Sequence, residues 1–233
     1  MRQKMASITQ MLRLPAVCVV CYQYHREAYA VCRVCYSLLK QLGPACNYCA
    51  LPLSDNNFPV CGRCSKIKPA FDRTLTLYRF EEPLRSLLHE YKYNGALFLR
   101  GFLVKLMLEA LPPTGFKTQC LIPVPLHPTR LRERGFNQAA EFAKILSKYL
   151  QVPCELTLCK KILHTSPQAN LSGKERQRNL HHAFEVKSTY YKHITLVDDL
   201  LTTGSTVNEL AKLFKKQGVD RVDVWCCARA ISD

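Results

Sequence analysis

Paired cysteines near the amino-terminal end restrict the fold of this chain more than any other sequence feature. Eight of the 13 cysteines form four Cys-x2-Cys pairs within the first 64 residues: Cys18/Cys21, Cys32/Cys35, Cys46/Cys49 and Cys61/Cys64. Ten residues separate the first two pairs and eleven separate the last two. This is the ligand spacing of zinc ribbons, in which each pair supplies two thiolates to a tetrahedral ion. We therefore predict two structural zinc ions whose binding folds this segment.

The sequence leaves the grouping of these ligands and the role of the ribbons open. A sequential arrangement puts the first four cysteines on one ion and the last four on the other, whereas a cross-braced arrangement mixes the pairs. A structural zinc supplies about 10–16 kcal/mol of binding free energy, more than so small a core contributes, which favours a scaffold. Basic residues on the ribbons also allow direct contact with nucleic acid or a partner: Arg26, Arg33, Lys40, Arg63, Lys66 and Lys68.

The hydrophobic pattern changes after the last cysteine pair. From Thr74 onward, short apolar runs alternate with amphipathic segments, which is typical of an α/β domain with a mostly parallel sheet. Apolar residues at helical spacing predict two helices, at 136–150 and 206–217. We place a domain boundary near 66–73, which gives a double zinc-ribbon module at 1–68 and a second domain at 69–233, with no internal repeat beyond the cysteine pairs.

Composition restricts the compartment and the partners. Arg13 interrupts the only apolar stretch near the start, so we expect no cleaved signal peptide. No uncharged apolar run approaches the ~18 residues that span a bilayer. We expect a cytoplasmic protein without a membrane span, in a compartment that keeps thiols available as metal ligands. The net charge of +15 favours phosphate-bearing partners, although basic residues spread along the whole chain are also typical of a generally basic surface.

The segment 194–206, ITLVDDLLTTGST, combines a β-branched run, two adjacent carboxylates and small hydroxylated residues. We predict a strand that ends at Asp198 and Asp199 and a helix that begins at Thr206. The turn between them offers backbone N–H groups to a phosphate. It lacks the Gly-Lys-Ser/Thr sequence of a nucleoside triphosphatase loop, so it suits a single terminal phosphate better than a triphosphate.

The two carboxylates would repel a phosphate, so they must face another part of the ligand. Carboxylate oxygens accept hydrogen bonds from sugar hydroxyls, and they can help to hold Mg²⁺ through water. A ribose 5-phosphate satisfies both halves of the segment. The alternative is that the acidic pair only caps a helix or lies in a solvated turn, which the complete string of strand, acids and turn disfavours.

Several segments together resemble a known family. "LVDDLLTTGST" resembles the phosphoribosyl pyrophosphate (PRPP) binding signature of type I phosphoribosyltransferases. With "IPVPLHPTRLRERGFNQ" at 122–138, "HTSPQANLSGKERQRNLHHAF" at 164–184, "EYKYNG" at 90–95 and the double zinc ribbon, the chain is similar over nearly its whole length to the ComF/GntX family of DNA-uptake and competence proteins. This resemblance implies a type I phosphoribosyltransferase-like fold, a mostly parallel sheet with helices on both faces.

The resemblance also implies roles for individual residues. Asp198 and Asp199 would bind the ribose hydroxyls of PRPP, which is bound with magnesium. The 5-phosphate would be bound by Thr202, Thr203, Gly204, Ser205 and Thr206. The pyrophosphate side would hold Arg130, Arg134 and Lys92, although Lys92 is equally typical of a surface lysine. No catalytic residue is identified, because the candidate acid/base histidines are more typical of surface or phosphate-side positions: His127, His164, His181 and His182.

The segment 166–179, SPQANLSGKERQRN, is predicted to form a hood over this site, with a capping box of Ser172 and Glu175. The hood and the loop on the pyrophosphate side supply candidate contacts to DNA: Gln168, Lys174, Arg176, Arg178 and Arg132. One departure from the family pattern precedes the hood, where Lys160 and Lys161 stand in place of an expected arginine. A bidentate phosphate contact is therefore not supported there.

Two functions follow from the resemblance. The first is a PRPP-binding, phosphoribosyltransferase-like protein that acts with the competence machinery in cytosolic steps of DNA uptake and binds single-stranded DNA. Tyrosines interleaved with the basic ribbon residues could stack bases or simply pack around the zinc sites: Tyr22, Tyr24, Tyr36 and Tyr48. The second function is an active phosphoribosyltransferase of nucleotide salvage, which transfers the phosphoribosyl group to a nitrogen acceptor and releases pyrophosphate. The sequence shows no pocket for that acceptor.

Overall fold

The computed structural model of the chain describes residues 15–54, 57–112, 116–163 and 183–231. The predicted hood at 166–179 lies outside the described residues, and so do these predicted residues: His164, Gln168, Ser172, Lys174, Glu175, Arg176, Arg178, His181 and His182. The described chain consists of two small cysteine units followed by a parallel sheet with helices on both of its faces.

The first cysteine unit, residues 16–37, is a short hairpin followed by a short helix. Strand β1 (Ala16–Val17) pairs antiparallel with β2 (Tyr24–His25), and helix α1 spans Arg33–Ser37. The first cysteine pair lies in the turn of the hairpin, and the second pair lies at the start of α1. Cys32 is the N-cap, and its Sγ accepts a hydrogen bond from the N–H of Cys35. The cysteines therefore shape the backbone as well as offering ligand atoms.

The second cysteine unit, residues 45–66, repeats this architecture. An antiparallel bridge joins Ala45 to Pro52, and helix α2 (Gly62–Lys66) follows its N-cap Cys61. The N–H of Tyr22 donates to the carbonyl of Cys18 at 2.8 Å, and in the second unit the N–H of Ala50 donates to Cys46 at 2.9 Å. Tyr22 and Ala50 also share a positive φ, 58° and 54°, which non-glycine residues rarely adopt. The sequence shows a repeat of cysteine pairs, whereas the structure also shows a repeated turn and a repeated short helix.

The central sheet is parallel, as the sequence predicted. Its strands lie in the order β3 (Arg73–Leu75), β9 (Arg221–Arg229), β8 (His193–Leu201) and β5 (Cys120–Pro123), and β4 (Tyr78–Arg79) also pairs in parallel with β9. Strands β6 (Cys159–Lys161) and β7 (Phe184–Val186) form a separate antiparallel pair.

The remaining helices are α3 (Leu84–Tyr93), α4 (Arg100–Leu108), α5 (Pro128–Arg134), α6 (Gln138–Leu150) and α7 (Ser205–Lys216), with a 3-10 turn at Leu97–Leu99. Helices α6 and α7 correspond to the two helices predicted at 136–150 and 206–217. Helix α6 begins where it does because the side chain of Asn137 accepts hydrogen bonds from the N–H groups of Ala139 and Ala140. None of the helices in the described residues is long and apolar enough to cross a bilayer.

Two clusters of buried residues cover the two faces of the sheet. From Val224 to Cys227 the residues of β9 alternate between the two clusters, because neighbouring side chains on a strand point to opposite faces. Trp225 packs with α4 and α6, and Val224 packs with α7. We call these sides the α4 face and the α7 face. The predicted helices on both faces are therefore confirmed.

The two cysteine units join different faces of the sheet. Cys18 and Val31 of the first unit belong to the buried cluster of the α4 face, whereas Cys46 and Cys61 of the second unit belong to that of the α7 face. Each unit thus continues a core of the sheet. The division of the chain at residue 68 stays a prediction.

Candidate functional site

The acidic pair lies at the carboxyl end of the sheet, near the end of β8. Pairing with β5 ends at Val197, which lies opposite Pro123, but pairing with β9 continues to Leu201, opposite Arg229. The prediction that the strand ends at the acidic pair was therefore wrong, because β9 supports β8 beyond it. Asp198 and Asp199 sit where β8 has lost one neighbour, and the carboxyl ends of parallel strands are where ligands bind in open α/β sheets.

The carboxylates form an electrostatic unit with Lys92 of α3. Its Nζ lies 2.5 Å from Oδ2 of Asp199, and the two side chains are 15% and 12% exposed. Lys92 is therefore largely buried against the acidic pair, which is not the environment of a surface lysine. Burial lowers the pKa of Lys92 to about 8 with help from Arg134, and Asp198 opposes this shift. Burial raises the pKa of Asp198 to about 7, and Lys92 opposes that shift.

The residues after β8 form a tight turn into α7, which begins one residue earlier than predicted. We call residues 202–205 the β8–α7 turn. Gly204 occupies the N-cap position with a φ of 76° and has no side chain to bond the first N–H groups of the helix. The Oγ1 of Thr203 lies 2.9 Å from Oγ of Ser205 and accepts a hydrogen bond from the Ser205 N–H. The predicted hydroxyls and the helix N-terminus thus converge at one place.

Two arginines that were not predicted for this site donate hydrogen bonds to backbone carbonyls in and next to the turn. Arg229 of β9 is buried, and its guanidinium donates to the carbonyls of Leu201, Thr202 and Cys49. Arg63 of α2 donates to the carbonyl of Thr203. Arg63 was predicted only as one of the basic ribbon residues. The local sequence around Arg229 does not indicate a role for Arg229 in the site.

The loop after β5 carries the predicted pyrophosphate-side arginines on helix α5. Arg134 points to α3, where its Nη2 donates to the hydroxyl of Tyr93 at 3.1 Å and its guanidinium lies 4.8 Å from the ring centre. Arg130 pairs with Glu133 at 3.7 Å, and Arg132 is exposed. Arg134 therefore contacts α3 at the residue after Lys92, and its charge helps to lower the pKa of Lys92.

His127 has a structural contact in this loop. It is the N-cap of α5, and its Nδ1 accepts a hydrogen bond from the N–H of Thr129 at 3.3 Å. Pro128 follows at the first helical position, where its missing N–H costs nothing. An acceptor role for Nδ1 leaves Nε2 as the protonated nitrogen of the neutral ring.

An apolar pocket of about 520 Å³ lies next to this loop. It is lined by Pro123, Pro125, Leu126, Pro128, Leu131, Asn137, Ala140, Leu156, Cys159, Lys160, Lys161 and Ile162. Pro123 pairs with Val197, the residue before Asp198, so the pocket adjoins the acidic pair across the sheet edge. Burial and the charge of Arg130 lower the pKa of Lys161. Sequence analysis missed this pocket because its walls come from separate segments.

The eight paired cysteines form two groups that could each hold a metal ion. The four Sγ atoms of each group lie within 4.8 Å of one another, and the groups are sequential: Cys18, Cys21, Cys32 and Cys35, then Cys46, Cys49, Cys61 and Cys64. A tetrahedral zinc with Zn–S bonds of ~2.3 Å separates its sulfurs by about 3.8 Å. The observed separations are 3.8 Å for Cys21 to Cys32 and 3.7 Å for Cys49 to Cys61. Both groups therefore fit zinc, and the cross-braced alternative is excluded.

One thiol of each group is prepared for ionisation. Burial by itself would raise the pKa of Cys18, but hydrogen bonds from backbone N–H groups, that of Cys32 first, lower it to about 6. The same balance lowers the pKa of Cys46 to about 7. Because a thiolate is the form that binds metal, these hydrogen bonds favour the ligand form of Cys18 and Cys46. Burial, together with the neighbouring thiols, instead raises the pKa values of Cys35 and Cys64.

Comparison with known proteins gives a consistent picture. Residues 137–233 match the family described as phosphoribosyl transferase domain. Competence protein F of Haemophilus influenzae is 36% identical over 179 residues, which cover 73% of this chain and 78% of that protein. DNA utilization protein YhgH of Escherichia coli K12 is 33% identical over 189 residues, 78% of this chain and 83% of that protein. Competence protein ComFC of Streptococcus pneumoniae is 27% identical over 158 residues, 66% of each chain.

Proposed function

The chain belongs to the ComF family of competence proteins, and from this premise we propose that it binds PRPP and acts in cytosolic steps of DNA uptake during natural transformation. The observation that carries the proposal is the convergence of an acidic pair and an uncapped helix N-terminus at the carboxyl end of one strand, β8. The acidic pair suits the ribose hydroxyls, and the helix N-terminus suits the 5-phosphate. The acidic pair would repel the phosphate, so the two features are not interchangeable.

Each part of the ligand has chemically suitable residues. The 5-phosphate accepts hydrogen bonds from the N–H groups and hydroxyls of the β8–α7 turn and of the start of α7: Thr202, Thr203, Gly204, Ser205 and Thr206. Ribose hydroxyls donate to Asp198 and Asp199. Lys92 and Arg134 provide positive charge for the pyrophosphate beside them. Magnesium would neutralise the pyrophosphate oxygens when bound, and Asp198 and Asp199 are the carboxylates that would help to hold it.

The two cysteine units would each hold a structural zinc. Zinc is supported by four cysteine sulfurs at tetrahedral spacing in each unit and, in the first unit, by backbone N–H groups that donate to the sulfurs. The short strands and helices of the units bury few large side chains of their own, so ligation supplies the folding free energy that an apolar core otherwise supplies.

Binding of single-stranded DNA is supported by charge and by two exposed tyrosines. Tyr22 is 76% exposed and Tyr24 is 78% exposed on the hairpin of the first unit. Tyr36 instead packs inside, where its hydroxyl donates to Glu109, and the ring of Tyr48 lies beneath Lys68 at 5.5 Å. Of the four interleaved tyrosines, Tyr22 and Tyr24 are the two whose rings offer open faces for stacking with bases.

The test of PRPP binding is calorimetric titration with PRPP and Mg²⁺. Asp198→Asn combined with Asp199→Asn should abolish binding. Because this double variant leaves the buried Lys92 without its carboxylate partner, its thermal unfolding is recorded and the titration is run below the unfolding midpoint, so that the protein is folded during the titration. The matched control is Asp220→Asn combined with Glu27→Gln, two exposed acids that give the same change of charge. Equal affinity in both double variants would mean that the acidic pair does not contact the ligand.

A second candidate function, transfer of the phosphoribosyl group to a nitrogen acceptor, is favoured by the apolar pocket beside the acidic pair. A flat heterocyclic acceptor fits a pocket lined by proline and leucine side chains. Incubation with PRPP and a panel of bases should then release pyrophosphate only with one class of acceptor. Ala140→Phe, which fills the pocket, should stop this release and leave PRPP affinity unchanged. PRPP binding without acceptor-dependent release would reject the transferase.

A further inference from the structure

We propose that Arg63 and Arg229 are positioning residues that let the second cysteine unit hold the β8–α7 turn in its phosphate-binding conformation. This proposal rests on the PRPP-binding function above. The second unit would then contribute to ligand binding, although it lies far from Asp198 and Asp199 in the sequence.

Arg229 connects the two elements through one buried guanidinium, which is 4% exposed. Its Nε donates to the carbonyl of Cys49 at 2.8 Å, and its Nη1 donates to the carbonyl of Leu201 at 3.1 Å and to that of Thr202. A residue of the sheet therefore binds a metal-ligand residue of the second unit and the beginning of the turn at the same time.

Arg63 makes the connection from the opposite direction. It lies between the ligands Cys61 and Cys64 on α2, and its Nη2 donates to the carbonyl of Thr203. Helix α2 has five residues, too few to be stable in isolation. Its position, and with it the position of Arg63, therefore depends on the cysteines at its start.

Together the two arginines fix three consecutive carbonyls, those of Leu201, Thr202 and Thr203. In a trans peptide the C=O and the following N–H point in opposite directions. A donor held on each carbonyl therefore directs the N–H groups of Thr202, Thr203 and Gly204 away from the arginines. Hydrogen bonding at the carbonyl also polarises the N–H of the same peptide, which strengthens its bond to an anion.

The charge of the pair acts in the same direction. Among the described residues, neither Arg63 nor Arg229 forms a salt bridge with a carboxylate. Two cations without a carboxylate partner thus lie directly behind the β8–α7 turn, where their field favours a bound anion.

The first cysteine unit offers an internal comparison. In that unit Val34 lies immediately before the last ligand, Cys35, just as Arg63 lies immediately before Cys64, and Val34 is 70% exposed. The one arginine of α1, Arg33, is exposed. Arg33→Ala is therefore a matched control that removes the same charge from the equivalent helix without touching the turn.

The experiment records backbone amide resonances by NMR and PRPP affinity by calorimetry for the full chain with zinc bound. Arg63→Ala should shift the amide resonances of Thr203 and Gly204 in the absence of ligand. It should weaken PRPP binding about tenfold, the scale expected for losing a hydrogen bond from a charged donor. Arg63→Lys keeps one charged donor and should stay within about threefold of wild type. Arg33→Ala should change neither measurement, and zinc content should be unchanged in all three variants.

The outcomes separate this proposal from the function on which it rests. Unchanged Thr203 and Gly204 amides in Arg63→Ala would overturn the positioning role, even if affinity fell, because the loss would then come from direct contact between Arg63 and phosphate. Unchanged affinity in Arg63→Ala would overturn it as well. Wild-type protein that binds no PRPP would instead overturn the proposed function, while the amide shifts would still decide whether the second unit holds the turn.

Discussion

The two cysteine units have similar backbones and different neighbours. Both carry a cysteine pair in a tight turn with a residue of positive φ, followed by a helix that begins at the third cysteine. The first unit continues the buried core of the α4 face, whereas the second contacts the β8–α7 turn through Arg63 and Arg229. Two units with the same cysteine pattern can therefore contact different parts of the protein, depending on the side chains near the cysteines.

The different contacts of the two units have a physical basis. Metal ligation can supply the folding free energy of a small unit, so the side chains between the ligands need not form a core. At the position before the last ligand, the first unit has an exposed valine and the second has an arginine bonded to the turn. The first unit therefore adds buried side chains to the core of the α4 face, whereas the second contacts the turn of the candidate ligand site.

Removal of one metal ligand from each unit should separate them most strongly. Cys35→Ser and Cys64→Ser should each reduce the zinc content from about two ions per chain to about one, measured by elemental analysis of reduced protein. Cys64→Ser should weaken PRPP binding at least about 100-fold, since it releases both the Arg63 contact and the Cys49 anchor, each a bond of about 1.5–3 kcal/mol. Cys35→Ser should lower the unfolding midpoint with a smaller effect on binding. Equal losses of affinity would break the comparison.

A substitution in the core of the α4 face should have the reverse effect. Phe102 of α4 lies edge to face with Tyr29 and Tyr36 of the first unit, with ring centres 6.0 and 6.2 Å apart. Phe102→Ala should cost about 3–5 kcal/mol of unfolding free energy, measured by urea denaturation. Arg63→Ala, an exposed position, should cost less than about 1 kcal/mol. A large loss of stability in Arg63→Ala would show that the second unit also serves mainly as core.

We expect PRPP binding at the acidic pair to depend on pH, because two groups of the site have shifted pKa values. The apolar contacts of the first unit involve neither group. Asp198 has a pKa raised to about 7 and takes up a proton as the pH falls below that value. Protonation would remove an acceptor for the ribose hydroxyls and for the proposed magnesium. Lys92 has a pKa lowered to about 8 and loses its positive charge as the pH rises above that value. PRPP affinity should therefore be highest between about pH 7 and pH 8 and fall about tenfold per pH unit on either side.

Calorimetry across pH 5.5–9.5 measures this profile, and Lys92→Arg serves as the control because arginine keeps its charge throughout. In that variant the loss on the alkaline side should disappear while the loss on the acid side stays. A flat profile in wild-type protein would mean that neither group contacts the ligand.

The smallest expected effect concerns DNA and the first unit. Tyr22→Ala combined with Tyr24→Ala should weaken binding of a fluorescent single-stranded oligonucleotide about tenfold, because stacking on an aromatic ring contributes about 1–3 kcal/mol per base. PRPP affinity should stay at the wild-type value. Tyr190→Ala, which removes another exposed ring, 81% exposed, is the control. If both variants bind the oligonucleotide equally, the first unit has no stacking role.

Local patterns predicted the parts of this structure that depend on neighbours in sequence. The spacing of the cysteines predicted the two ligand groups, and apolar periodicity predicted α6 and α7 within two residues. The predicted strand β8 is shorter than the observed one. Its last residues depend on pairing with β9, which comes later in the chain.

The contacts that a local pattern cannot contain were missed. Arg63 reaches the β8–α7 turn across 140 positions of sequence, and Arg229 reaches Cys49 across 180. Nothing in the composition of either segment distinguishes these arginines from the many basic residues elsewhere. The apolar pocket was missed for the same reason, since β5, α5, α6 and β6 each supply part of its wall.

A crystal structure of the protein with PRPP and Mg²⁺ would show whether PRPP binds across the acidic pair and the β8–α7 turn. We expect 5-phosphate oxygens about 2.7–3.2 Å from the N–H groups of the turn, with the ribose hydroxyls on Asp198 and Asp199. We also expect Arg63 to keep its bond to the carbonyl of Thr203 when the phosphate is bound. A phosphate bound elsewhere, or an empty turn at saturating PRPP, would mean that these residues do not form the binding site.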